Sequence, residues 1–126
     1  MKQPSKKELE VLSHIWKLKK GFLKDVIKQY KDPKPAYTTV ATMVNRMVEK
    51  EYIGFKMHGR DKEYFPILNK SNYFSGQIKK MVSNYFNNSP TQFASFFTKD
   101  TDLTLEQLEE LRSLVDKEIS IKTKKS

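Results

Sequence analysis

Apolar residues recur along the first fifty residues at helical spacing, change once to a strand-like pattern, and then return to helical spacing. Leu9, Leu12, Ile15 and Trp16 make the stripe of a first helix, which starts at Ser5. There Ser-Lys-Lys-Glu places an oxygen acceptor at the N-cap and Glu8 three residues later, the reciprocal capping-box arrangement, and Gly21 is expected to end the element. Leu23, Val26, Ile27 and Tyr30 predict a second, short helix. Asp32-Pro33-Lys34-Pro35 stops it, because proline lacks an amide donor and disfavours helix at the residue before it. A third helix is predicted over residues 38–50, with Val40, Met43, Val44, Met47 and Val48 on one face. Thr38, Thr39, Thr42, Asn45, Arg46 and Glu49 occupy the opposite face, with Ala41 at the border. Those polar residues are mostly short, whereas an ordinary solvent face favours Lys and Glu, and short groups let a helix approach something closely.

Tyr52, Ile53, Phe55 and Met57, then Glu63, Tyr64, Phe65, Ile67 and Leu68, supply aromatic and β-branched residues on either side of His58-Gly59-Arg60-Asp61-Lys62. This reads as a β-hairpin with a basic, glycine-bearing tip. Three helices followed by a hairpin is the order of a winged helix-turn-helix, in which the third helix enters the major groove of DNA. The predicted class is therefore mostly α with a small β-hairpin wing.

Beyond Lys70 the spacing is helical again: Phe74, Ile78, Met81, Val82, Tyr85 and Phe86 share a face, followed by a break at Asn87-Asn88-Ser89-Pro90. Phe93, Phe96 and Phe97 form an aromatic cluster, and a second capping box at Thr104 opens a helix carrying Leu105, Leu108, Leu111, Leu114 and Val115. Residues 119–126 read as a frayed basic tail. Amphipathic helices that follow a complete small domain must bury against each other or against a second copy, and a homodimer is the expectation. The organisation is a winged-helix domain over residues 1–70 and a helical dimerisation region over 71–126.

Charge sharpens this division. The chain carries +9 formally, and the first 70 residues hold 16 basic against 8 acidic residues while the remainder holds 8 against 7. The excess falls on the segment with the winged-helix pattern, which points to double-stranded DNA as partner. With no cysteine, disulfides, thiolate metal sites and cysteine nucleophiles are excluded, and only His14 and His58 remain as imidazoles. His14 has no companion ligand nearby, so neither a metal nor another cofactor is expected. No apolar run approaches the roughly 18 to 20 residues that span a bilayer, and the N-terminus lacks a signal-peptide pattern, so membrane insertion is not expected and the cytoplasm is the default. No Gly-rich phosphate loop or ordered Ser/His/Asp set appears, which argues against an enzyme.

Ala36-Tyr37-Thr38-Thr39-Val40-Ala41-Thr42, followed by Arg46-Met47 and Lys50, resembles the penicillinase-repressor family of winged-helix regulators, the BlaI, MecI and CopY type. The wing Gly59-Arg60 with Tyr64 and Pro66, and Asp102-Leu103-Thr104 with Glu109-Glu110-Leu111, agree with it. The resemblance implies a homodimeric repressor on an inverted-repeat operator, with C-terminal helices intertwined between subunits. It also implies, for members acting in β-lactam resistance, release when a membrane sensor protease triggers cleavage near the position of Phe96 and Phe97. Here Phe96 stands where those members have the asparagine of an Asn-Phe pair. Copper sensing by the cysteine-rich site of another branch is excluded. Glu51 replaces the glycine usual after the recognition helix, and some relatives carry a long basic residue in place of Ala41.

The DNA-facing candidates follow. Thr38, Thr39 and Thr42 are suited to donating to phosphates or touching thymine methyls, Asn45 shares their face, and Arg46 is suited to a phosphate or a guanine edge. Tyr37 either bonds a phosphate at the start of the helix or packs. Lys56, His58, Arg60 and Lys62 of the wing are placed to follow a phosphate strand, Arg60 and Lys62 foremost. Lys6, Lys7, Lys19, Lys20, Lys24 and Lys34 are expected to act through their field alone. The competing reading of the whole chain is a winged-helix module that binds protein instead of DNA.

Overall fold

The computed structural model describes residues 3–125. The chain divides into two compact units, Met1–Ser75 and Gly76–Ser126. In the first, α1 (Lys6–Leu18), β1 (Gly21–Phe22), α2 (Leu23–Lys28) and α3 (Tyr37–Glu49) precede a hairpin of β2 (Ile53–His58) and β3 (Asp61–Pro66). The sheet is antiparallel in the order β1-β3-β2. This is a winged helix.

Local chemistry accounts for the boundaries. At α1 the Ser5 hydroxyl accepts from the Glu8 amide at 3.1 Å and the Glu8 carboxylate accepts from the Ser5 amide at 2.9 Å, the reciprocal cap read from sequence. The helix stops earlier than Gly21: Lys19 takes a positive φ of 70° while its amide bonds the Ile15 carbonyl, which frees Gly21 to open β1. A two-residue strand carries no periodic signal, and β1 was invisible for that reason. The hairpin tip is also tighter than expected. His58 pairs with Asp61, leaving Gly59 and Arg60 as the loop, and Gly59 at φ 64° occupies the first central position, where a two-residue hairpin turn of type II′ calls for glycine.

Helix α3 buries Val40, Val44 and Met47 completely against Val11, Leu12 and Ile15 of α1, Val26 of α2, and Tyr52, Ile53 and Tyr64 of the hairpin. Val11, between the predicted stripe positions of α1, is as buried as Leu12. On the neighbouring face of α1, the His14 ring lies 4.4 Å from that of Tyr30. Burial, ahead of opposing charge effects from Glu10 and Lys17, lowers the His14 pKa below its ordinary value. The hairpin leaves the core strapped to α1. The Tyr52 carbonyl accepts from the amides of Ile67 and Leu68, and the Trp16 indole donates to the Leu68 carbonyl at 2.8 Å.

A charged tie joins the two long helices. Lys50, the C-cap of α3, places its Nζ 2.9 Å from Glu8 Oε2 in the first turn of α1, so each charge sits at the helix end whose dipole favours it. Burial alone would raise the Glu8 carboxyl. Hydrogen bonds from the Ser5 amide, Lys50 and the Ser5 hydroxyl outweigh it and hold the pKa below the usual carboxylate value.

In the second unit, Asn87 and Asn88 take positive φ after α4 (Lys70–Tyr85), and α5 (Pro90–Asp100) starts on a Ser89 cap with Pro90 in its first turn. Thr104 and Gln107 cap α6 (Leu105–Lys125) reciprocally at 3.1 and 2.9 Å. The tail expected to fray is helical as far as Lys125, because no proline or glycine interrupts it and the Thr123 hydroxyl returns to the Ile119 carbonyl.

Two outcomes follow. Glu51 adopts the left-handed conformation, φ 64°, without being glycine; Glu51→Gly should therefore stabilise the fold by about 0.5 to 1 kcal/mol in denaturant unfolding. Acid should act in two steps. His14, depressed in the fold, contributes stability that is lost as pH falls below its unfolded value of 6.5, and Glu8, also depressed, contributes stability that is lost as pH falls below 4.5. In unfolding curves taken across this range, His14→Phe should flatten the upper step and Glu8→Gln the lower.

Candidate nucleic-acid interface

Because the apolar face of α3 is committed to the core, its other face is turned outward. Thr38, Thr39, Thr42, Asn45, Arg46 and Glu49 are exposed, Tyr37 at 62%, and Ala41 is half-buried at the margin. The structure thus collects on one accessible surface the helix residues expected there. Thr42 differs from its neighbours: its hydroxyl donates to the Thr38 carbonyl at 2.9 Å, leaving its methyl group and an acceptor lone pair.

Beside the start of α3 lies a concavity of about 430 Å³ lined by Phe22, Leu23, Lys24, Tyr37, Arg60, Asp61, Lys62 and Tyr64. Strand β1 makes it, pairing Gly21 with Tyr64 and Phe22 with Glu63 and so carrying the start of α2 against the wing. Three cations and the Tyr37 phenol meet there, with Asp61 as the one carboxylate. Tyr64 forms its floor; burial first, and then Tyr37, push the Tyr64 phenol above its ordinary pKa. Lys62 is held in place, with Nζ 4.6 Å over the Phe55 ring.

Register sorts the wing cations. Lys62 shares a face with Phe55 and Met57, whereas Lys56 and His58 lie on the other face, opposite Glu63 and Asp61. His58 is engaged there, 3.1 Å from Glu63 and edge-on to Phe22 at 5.7 Å. Arg60 and Lys62 line the concavity; Lys56 and His58 do not. Lys24, expected to act only through its field, belongs with them, and no spacing rule reveals this because it depends on β1. Lys34 has a local duty, donating to the Tyr30 and Lys28 carbonyls at 2.6 and 3.3 Å where α2 ends. His14 and Tyr30 line a different concavity with Glu10, Gln29, Lys31, Pro33 and Pro35. Among the described residues no group of three His, Asp or Glu is arranged to hold a metal, and no helix is long and apolar enough to cross a membrane.

The residues expected at a subunit junction divide. Val82 is buried within the chain, so it packs inside the protomer instead of offering a surface. Phe86 and Phe93 are half-buried in a cluster with Phe96 and Phe97, their rings 5.4 to 6.2 Å apart. Phe74 lies edge-on to Trp16 at 5.8 Å. Ile78, Met81, Tyr85, Leu114 and Val115 are exposed, and Leu108 and Leu111 are half-buried.

The family model described as Penicillinase repressor matches residues 4–117. The chain belongs to the penicillinase repressor family. Among curated members it is 26% identical over 115 residues to the penicillinase repressor of Bacillus licheniformis, covering 90% of each chain. It is 24% identical over 116 residues to the methicillin resistance regulatory protein MecI of Staphylococcus aureus (strain N315), covering 90% of this chain and 93% of that one. A solved structure, the DNA binding domain of the repressor BlaI, matches 58% of this chain and 94% of its own length at 31% identity, with a TM-score of 0.49. The family match spans both units, so the resemblance noted at α3, the wing and the start of α6 extends across nearly the whole chain.

Proposed function

We propose that this penicillinase repressor family member is a sequence-specific DNA-binding repressor, acting without catalysis as a homodimer on an inverted-repeat operator. The observation that carries the reading is the outward, short-chained polar face of α3 with a cationic concavity beside it. A helix whose threonines, asparagine and arginine reach base edges would read sequence, while Lys24, Arg60, Lys62 and Tyr37 would hold the adjoining phosphate strand. A protein-binding winged helix has no need of that cationic concavity. The relatives' names, a penicillinase repressor and a methicillin resistance regulatory protein, support the regulatory half of the proposal.

The second unit supports pairing of subunits. Among its described residues Val82 is the one buried apolar side chain, while Tyr85, Leu105, Leu114, Val115 and Ile119 are each more than half exposed. So much apolar surface is costly to leave in water, and a second copy of the same helices would cover it. Release by cleavage at Phe96 and Phe97 would need α5 to open first, since both residues lie inside that helix, at 47% and 38% exposure.

Titration of a labelled inverted-repeat DNA library at several salt concentrations tests the reading. Selective binding is expected, weaker on single half-sites than on the full repeat. Arg46→Ala should lose about 1 to 3 kcal/mol of operator affinity, and Lys62→Ala should weaken all sequences alike and reduce the salt slope by about 1. A chain that binds no DNA at physiological salt would leave the protein-binding alternative standing. Thr42 gives a finer check in the same assay, because its hydroxyl proton is already engaged within the helix. Thr42→Val should bind like the wild type, and Thr42→Ser should lose about 0.8 kcal/mol, the value of one buried methyl group.

A further inference from the structure

We propose that Glu8 and Lys50 form a positioning device for α3, fixing where that helix stops along its own axis and so where its polar face meets DNA. The inference rests on the DNA-binding reading above.

Apolar burial of Val40, Val44 and Met47 settles which way α3 is rotated, but non-directional contacts of this kind hold its position along the axis less sharply than a directional bond does. A charge-assisted hydrogen bond is directional and short, and here it joins the C-cap residue of α3 to the first turn of α1 at 2.9 Å. Its acceptor is itself immobilised. Glu8 Oε1 takes the Ser5 amide, Oε2 takes Lys50, and the Ser5 hydroxyl takes the Glu8 amide, so the carboxylate has little freedom to follow a shifting lysine. The Glu8 residue is 7% exposed, whereas the Lys50 side chain keeps 44% of its surface.

Lys50 also stands where the recognition helix passes into the wing. Its amide bonds the Arg46 carbonyl, and its Nζ lies 5.9 Å over the ring of Tyr52. The Tyr52 amide bonds the Met47 carbonyl, and the Tyr52 carbonyl holds the chain as it leaves β3. One cation therefore touches the end of α3, the start of α1 and the root of the hairpin. It lies at the opposite end of α3 from Tyr37, about 20 Å away at the rise of an α-helix, so it does not share the phosphates of the cationic concavity. Besides the stability that the buried Glu8 carboxylate contributes, the short bond to a lysine whose stem is held at the helix end fixes geometry.

The test uses the full chain and the inverted repeat selected by the wild type. Lys50→Met keeps the aliphatic stem without the charge, and Glu8→Gln retains a residue that can close the capping box, so both variants should fold with α1 intact. Each should weaken binding about tenfold, comparable to the loss of one base contact. The double variant should lose no more than either single one, and Lys50→Arg should restore most of the affinity. The salt slope should not change, because no phosphate contact is removed. Wild-type affinity in both single variants would overturn the proposal. So would a reduced salt slope for Lys50→Met with normal binding by Glu8→Gln, which would make Lys50 a phosphate contact. Wild-type protein that binds no DNA would be a different failure, that of the DNA reading itself, and would remove this proposal with it.

Discussion

The completely buried strip Val40–Val44–Met47 is the constraint from which the rest of the first unit follows. Once these residues are packed against α1, α2 and the hairpin, α3 has no rotational freedom left, and its threonines, Asn45 and Arg46 must face outward. The outward face is thus a by-product of core formation. That is economical in a chain of 126 residues, where little apolar material is available. The cationic concavity is tied to the same packing, because β1, which joins α1 to α2, pairs with β3, whose Tyr64 belongs to that core.

The two units of this penicillinase repressor family member solve the burial problem differently. Among the described residues, the first surrounds ten buried apolar side chains with several half-buried ones, including Trp16, Leu23 and Leu68. The second clusters the rings of Phe86, Phe93, Phe96 and Phe97 and leaves Ile78, Met81 and Tyr85 of α4 and Leu105, Leu114, Val115 and Ile119 of α6 exposed. Capping explains why these helices have defined ends without a deep core: Ser89, Thr104 and Gln107 satisfy backbone groups that packing does not cover.

Much of this architecture was legible in the chain. The Ser5–Glu8 and Thr104–Gln107 boxes, the two faces of α3 and the basic hairpin each rest on local chemistry that acts within a few residues, and sequence displays such chemistry directly. What escaped depends on partners far away along the chain. Strand β1 exists because Gly21 and Phe22 meet Tyr64 and Glu63 across more than forty positions, and Lys24 joins the concavity only through it. The assignment of Lys62 and His58 to opposite faces needed the hairpin register, which a one-residue shift in loop length reverses. The helical continuation to Lys125 was missed because a run of lysines resembles a solvated tail when read by composition alone.

The Trp16 strap has a practical consequence for dissecting the molecule. Its indole is hydrogen-bonded to Leu68, and its ring is flanked by Tyr73 and Phe74, at 6.2 and 5.8 Å, in the opening turns of α4. A fragment cut just after the wing would keep the whole polar face of α3 yet strip one flank of the largest aromatic residue in the chain. A fragment that keeps this side chain covered therefore extends through Ser75, carrying the beginning of α4 along as a lid for Trp16.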